Sequence, residues 1–162
     1  LGTDRVLFLP DEYLANYVAG QTNVDIISWK GHCEVHERFT PTEIESYRAG
    51  VPGLVVIAHP ECPPDALDAA DFVGSTAQMI NHVKNERPPK VLLLTECSMS
   101  DNVAAELPEI EFVRPCNLCP HMKRITLENI QQALETLQPA VTVDPEIAAR
   151  ARDAVTRMLE IG

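Results

Sequence analysis

Short apolar runs alternate along this chain with longer stretches of helical period, and that alternation sets the expected fold. Runs at Val6–Leu9, Asp25–Trp29, Leu54–Ala58, Asp71–Val73, Lys90–Leu94 and Ile110–Val113 have the length and bounding turn residues of buried strands. Helical periodicity fills most of the gaps. Thr40-Pro41-Thr42-Glu43 is a capping box with proline at the first helical position, which predicts a helix from there to about Arg48. Ser75 or Thr76 caps a second to about Lys84, Thr126 a third to about Leu137, and Asp144-Pro145-Glu146 opens the last. Small polar side chains suit those places because they accept the unpaired amides of a first helical turn. Strands alternating with helices of about ten residues predict an α/β fold, with parallel sheets covered by helices on both faces. No low-complexity linker interrupts the pattern, so its parts are expected to pack tightly. Trp29, Met79, Met99 and Met158 are expected in the core, and His82 on a solvated helix face.

The pattern also repeats. Cys33-Glu34-Val35-His36-Glu37-Arg38-Phe39-Thr40 and Cys119-Pro120-His121-Met122-Lys123-Arg124-Ile125-Thr126 share Cys, Arg and Thr in register at an offset of 86 residues, with Phe39 facing Ile125. Val6-Leu7-Phe8-Leu9-Pro10-Asp11 matches Val91-Leu92-Leu93-Leu94-Thr95-Glu96, and His59-Pro60-Glu61 matches Asp144-Pro145-Glu146, both at an offset of 85. Such self-similarity predicts roughly two tandem units, each with one cysteine at the same structural place. In open α/β sheets, ligands bind beyond the carboxyl ends of the strands. Cys33 follows the run ending at Trp29, and Cys119 the run ending near Val113. Two equivalent thiols at that edge suggest a ligand shared between units.

Composition narrows the function. With 162 residues, 45% of them apolar, the chain is large enough to bury a core. Its formal charge of −11 disfavours nucleic acid and anionic membrane as partners, so any bound anion needs a local site. No run reaches the length of a membrane span, and the first residues are not a signal peptide. A soluble, cytosolic protein is expected. Five cysteines in such a chain argue for metal or catalytic thiols over disulfides. The absence of an initiator methionine reads as a piece of something longer.

Three readings of the thiols follow. Zinc needs four closed nitrogen or sulfur ligands, and a zinc-binding interaction module would draw them from Cys33, Cys116, Cys119 and His121. The repeat singles out Cys119, however, because a step of 86 residues back from Cys116 lands on Lys30, which is no ligand. One equivalent cysteine per unit suits an iron–sulfur cluster held between units. A third such unit would bring three thiolates to a pseudo-threefold axis and leave one iron of a 4Fe-4S cluster open, a Lewis acid for a carboxylate or hydroxyl. The third reading is a metal-free α/β domain that binds an anion at the helix opening at Ser75 and Thr76.

Five ordered motifs then resemble a known family. Trp29-Lys30-Gly31-His32-Cys33-Glu34-Val35-His36, His59-Pro60-Glu61-Cys62-Pro63, Ala70-Asp71-Phe72-Val73-Gly74-Ser75-Thr76, Thr95-Glu96 and Cys119-Pro120-His121-Met122-Lys123 resemble, in order and spacing, the second half of quinolinate synthase, across essentially the whole chain. The resemblance implies three related αβα units around a pseudo-threefold axis and a 4Fe-4S cluster with three cysteine ligands and one open iron. There iminoaspartate and dihydroxyacetone phosphate would condense to quinolinate, in de novo NAD synthesis. An aspartate-oxidising enzyme that supplies iminoaspartate would be a partner. On this resemblance residues 1–33 end a middle unit, 34–119 form the third and 120–162 a helical tail. The first unit, with the first cysteine ligand, lies outside this chain, so activity of these residues alone is not expected.

Residue by residue, Cys33 and Cys119 resemble the second and third cluster ligands, and His36, His59, Glu61, Ser75 and Thr76 the substrate-contacting residues. Their own chemistry agrees. Gly74-Ser75-Thr76 follows a strand and opens a helix, where amides, hydroxyls and the helix dipole converge on a carboxylate or phosphate; a plain N-cap is the simpler reading. His59 and Glu61, two residues apart beyond a strand, are placed to pass protons. His36 is expected to contact substrate or to support the ligand loop. Cys116 is read as redox-active or structural, and Cys62 and Cys97 as spectators. Asp11 and Glu96 suit helix capping or support of the site equally.

Overall fold

The structure, a computed structural model, describes residues 2–115 and 117–161. Thr3–Pro120 form one compact unit, and His121 onward belongs to a second. In the first unit, β1 (Arg5–Phe8), α1 (Glu12–Ala19) and β2 (Asp25–Ser28) form a small sheet in which β1 and β2 pair in parallel, Arg5 opposite Asp25. A larger sheet follows in the order β4-β3-β5-β6, every pairing parallel: β3 is Val55–Ala58, β4 Phe72–Val73, β5 Lys90–Leu94 and β6 Glu111–Val113.

Alternation along β3 and β5 sends successive side chains to opposite faces. Val56, Ala58, Leu92 and Leu94 pack with Phe39, Ile44 and Ala66, from the segment before α2 (Pro41–Gly50), from α2 and from α3 (Pro64–Asp68). Ile57, Val91 and Leu93 meet Met79 and Val83 of α4 (Thr76–Glu86) and Val103 of α5 (Cys97–Glu106). The four-stranded sheet is thus sandwiched between helices, as the alternation predicts, and each fully buried Leu or Ile contributes about 1.5–3 kcal/mol. The expected capping box is present at Thr40, and the expected caps at Ser75 and Thr126 also form boxes, where side chain and backbone satisfy each other reciprocally. The second unit carries α6 (Leu127–Thr136) and α7 (Pro145–Ile161).

Some expectations are corrected. The runs at Val6–Leu9 and Asp25–Trp29 do form strands, but they are not buried: Leu7, Leu9, Ile27 and Trp29 are exposed, Leu9 by 67%. Apolar strands need a layer on each face. α1 packs against β2, and no described element covers these four residues. Trp29 therefore lies outside the core, its indole N–H donating to the Leu9 carbonyl. Met79 and Met99 are core residues, whereas Met158 is exposed on α7. His82 is half-buried rather than solvated, its ring stacked on Phe72 at 4.1 Å.

The repeat has a structural counterpart. The order strand, helix, strand, cysteine, one 3-10 turn and capped helix occurs as β1, α1, β2, Cys33, His36–Arg38, α2 and again as β5, α5, β6, Cys119, Met122–Arg124, α6. Ion pairs between the first residues of each strand pair recur too, Arg5 with Asp25 at 2.7 Å and Lys90 with Glu111 at 3.8 Å.

Candidate metal and substrate site

The carboxyl ends of β3 and β5 lie side by side, Ala58 opposite Leu94, with the end of β4 next to β3. Chain direction alone therefore delivers His59 and Glu61 after β3, Thr95 after β5 and Ser75 after β4 to one sheet edge. A further contributor comes from the loop after β2. Cys33 accepts at its carbonyl from Glu37 N–H at 3.0 Å, which opens the 3-10 turn holding His36.

That turn directs His36 inward, where only 8% of it is exposed. Its Nε2 lies 3.0 Å from the Thr95 hydroxyl, its Nδ1 lies 3.0 Å from Glu61 Oε2, and its ring stacks on His59 at 4.6 Å. His59 Nδ1 is 3.7 Å from the same carboxylate oxygen. The ring N–H direction at Nδ1 misses the Glu61 carboxylate, so the two are close neighbours without an aligned hydrogen bond, while Nε2 pairs with the Thr95 hydroxyl. Donor atoms of Cys33, His36 and Glu61 all lie within 4.8 Å of one another, close enough to hold one metal ion. Thus five positions, Cys33, His36, His59, Glu61 and Thr95, share one buried corner. Thr95 entered the sequence reading only through a motif. A buried hydroxyl leaves no local pattern, and its place after β5 was the available signal.

Charge in this corner is polarised. Burial, with the His36 charge second, pushes the His59 imidazole below its ordinary value of 6.5, while the adjacent His36 side chain, outweighing desolvation, holds Glu61 below 4.5. Both shifts leave the folded protein with fewer bound protons than the unfolded chain, so unfolding takes up protons as the pH drops. Stability of the metal-free protein should then fall below pH 6.5 through His59 and fall further below pH 4.5 through Glu61. Urea midpoints measured from pH 7 to pH 4 check this. His59→Asn should flatten the upper part of the profile and Glu61→Gln the lower part.

The other candidates lie as follows. Cys119 is a half-buried free thiol in the loop after β6, its amide 3.4 Å from Glu96. Ser75 and Thr76 are exposed at the start of α4. The Ser75 hydroxyl accepts from Gln78 N–H at 3.4 Å, and the Gln78 side chain accepts from Ser75 N–H at 2.8 Å. Gly74 keeps that box open, since a Cβ there would sit 2.8 Å from both Gln78 Cβ and Phe72 Cε1. Cys62 is fully buried, its thiol donating to the Leu94 carbonyl at 3.5 Å and pushed up to about 12 by desolvation; no metal ligand is expected of it. Cys97 is buried as well. His32 pairs with Glu12 at 2.9 Å and stacks on Tyr13. Cys116 lies outside the described residues. An open groove of about 390 Å³ lies elsewhere, lined by Tyr13, Tyr17, Leu67 and Val73, with none of the clustered residues in its wall.

Fold and site together define a parallel α/β protein with a candidate metal centre at its strand ends. The chain belongs to the family described as Quinolinate synthetase A protein, whose profile matches residues 1–160. It is 64% identical to quinolinate synthase 2 of Mesorhizobium japonicum over 99% of this chain and 50% of that protein. It is also 64% identical to the quinolinate synthase of Agrobacterium fabrum over 99% of this chain and 47% of the relative. With that of Xylella fastidiosa it shares 60% over 99% of this chain and 48% of the relative. The chain thus spans about half the length of the curated relatives it matches. No helix among the described residues is long and apolar enough to cross a membrane.

Proposed function

We propose that this chain is the carboxyl-terminal part of a quinolinate synthase, in which Cys33 and Cys119 hold a 4Fe-4S cluster together with a cysteine of a further, amino-terminal unit. The reaction would join iminoaspartate to dihydroxyacetone phosphate with loss of phosphate and water. One observation carries the reading: the Glu61 carboxylate lies 3.0 Å from His36 Nδ1 in a corner whose donor atoms, the Cys33 thiol included, lie within 4.8 Å of one another. The donor set fits the cluster. Both cysteines are free, partly accessible thiols in equivalent loops, the ligand type iron–sulfur clusters take.

When bound, the cluster would supply a Lewis-acidic iron for substrate oxygen or nitrogen. The protein supplies the proton handling. Ring closure needs protons removed from carbon and delivered to departing oxygens, and each transfer needs a group within hydrogen-bond reach. Glu61, held below its ordinary range, is ionised at neutral pH and able to accept a proton, while His59, held neutral by burial, offers a second acceptor beside it. His36, fixed by Thr95 and Glu61, orients that carboxylate. Ser75 and Thr76, at the positive end of α4, suit the phosphate or a substrate carboxylate.

The deciding experiment is purification of the intact protein without oxygen. Iron and sulfide in cluster amounts, and quinolinate formed from the two substrates, are expected; intact, iron-loaded protein that forms no quinolinate would overturn the assignment. The hydroxyl of Thr76 gives a narrower test. A hydrogen bond to a charged group is worth about 1.5–3 kcal/mol, so Thr76→Ala should raise the KM for the phosphate-bearing substrate about 10- to 100-fold. Ser75→Ala should in addition cost about 1 kcal/mol of stability through the lost cap. An unchanged KM in Thr76→Ala would remove it from the substrate site.

A second reading rests on the same corner. Cys33, His36 and Glu61 are also a ligand set for one zinc ion, within 4.8 Å. Zinc without sulfide in the purified protein would favour it.

A further inference from the structure

The two cysteine loops are fastened to the rest of the fold in the same way, and neither the family nor the reaction accounts for it. Asp11 caps α1 by accepting from Leu14 N–H through Oδ1 at 2.9 Å, and through Oδ2 it accepts from the backbone N–H of Cys33, also at 2.9 Å. At the matching place, 85 residues on, Glu96 caps α5 by accepting from Ser98 N–H through Oε2 at 2.7 Å, and its Oε1 accepts from Cys119 N–H at 3.4 Å. A return bond closes each pair. Glu12 N–H donates to the Gly31 carbonyl at 2.9 Å, and Cys97 N–H to the Asn117 carbonyl at 3.2 Å, each carbonyl two residues before its cysteine.

The acid is therefore tied twice to the cysteine loop, once by side chain and once through the helix it starts. Asp11 is 2% exposed, and carboxylates are almost never buried unless fully hydrogen-bonded. Capping alone would be met by Ser, Thr or Asn, each with one acceptor oxygen to offer. A carboxylate offers two acceptor atoms and no donor, and both are used here.

We infer that Asp11 and Glu96 are equivalent positioning residues, each clasping one cysteine-bearing loop to a helix start so that the thiols of Cys33 and Cys119 are preset for the cluster. The inference rests on the proposed ligand roles of those cysteines. Pre-set ligands bind more tightly because less loop freedom is lost on loading, and groups behind the ligands characteristically govern how long a metal centre survives.

Asp11→Asn separates clasp from cap. Asparagine is as good an N-cap as aspartate, but its amide nitrogen is a donor and would face the Cys33 N–H. Glu96→Gln does the same at Cys119. Thr40→Ala serves as a control, removing a helix cap that touches no cysteine amide. In the intact protein, hydrogen exchange at the Cys33 amide should quicken about 10-fold or more in Asp11→Asn, as expected for loss of a bond to a charged acceptor. The half-life of the cluster against an iron chelator should fall severalfold in Asp11→Asn and Glu96→Gln and stay unchanged in Thr40→Ala. Unchanged exchange and half-life in Asp11→Asn, or an equal fall in Thr40→Ala, would overturn the inference. Intact protein that takes up no iron would overturn the proposed function instead, and exchange in that metal-free protein still decides for or against the clasp.

Discussion

Serine at Cys33 or at Cys119 in the intact protein is expected to leave essentially no 4Fe-4S cluster and no quinolinate formation, the largest effect any single side chain here should have. A thiolate is the ligand iron–sulfur clusters require, and a serine hydroxyl, nearly the same size, is not ionised near neutral pH. The substitution thus removes the bond to iron with little change in packing. Each thiol is partly accessible in the loop after a parallel strand, where a ligand can reach it. Cys62→Ser should behave differently, because the Cys62 thiol is fully buried, donates to the Leu94 carbonyl and is kept protonated by desolvation. Cys97→Ser should likewise keep its iron. Iron and acid-labile sulfide, measured on anaerobically purified proteins, check all four. Full iron in Cys119→Ser would sink the ligand assignment.

These expectations stand on features of unequal visibility in the sequence. Strand β5 is legible to the residue, Lys90–Leu94, since the short apolar run Val91–Leu94, bounded by Pro89-Lys90 and Thr95, is of strand rather than helix length. The helices opening at Thr40, Ser75 and Thr126 are legible from their hydroxyl caps, a local signal that in Thr40–Glu43 extends to a complete capping box. Burial of β1 and β2 does not follow from their pattern. Their apolar pattern records a fitness to be covered, and a sequence pattern does not say whether the covering layer is in the same chain. Helices α1 and α5 carry acid caps, Asp11 and Glu96, in place of the hydroxyl caps that mark the others, and α3 has five residues and no side-chain cap, so none of the three is distinct in the sequence.

The site divided along the same line. Cys33, His36, His59 and Glu61 stood out in motifs, yet their convergence depends on β3 and β5 pairing in register across 36 residues of chain, Val55 with Val91, which no local window holds. Asp11 and Glu96 suited two roles in the sequence, capping or support of the site. Each caps its helix with one oxygen and accepts from a cysteine amide with the other, because a carboxylate has two oxygens and the strand, helix and loop bring one amide to each.

Glu61→Gln is expected to reduce kcat about 10²- to 10⁴-fold, the usual contribution of a positioned acid or base, with KM and iron content much less affected. Glutamine matches glutamate in shape, so the corner should keep its packing and the stacked pair of imidazoles. It lacks the ability to take up a proton. A loss confined to kcat would mean that the carboxylate acts in the transition state, since an interaction made equally with bound substrate would appear in KM. His36→Gln, which removes the imidazole that holds Glu61 below its ordinary range, should shift the acid limb of the rate profile upward in pH, because Glu61 would then need a higher pH to ionise. Steady-state rates from pH 5 to pH 8 on cluster-loaded proteins check both. An unchanged kcat in Glu61→Gln would leave the carboxylate as a support for His36 alone, and an unmoved acid limb in His36→Gln would show that ionisation of Glu61 does not limit the rate.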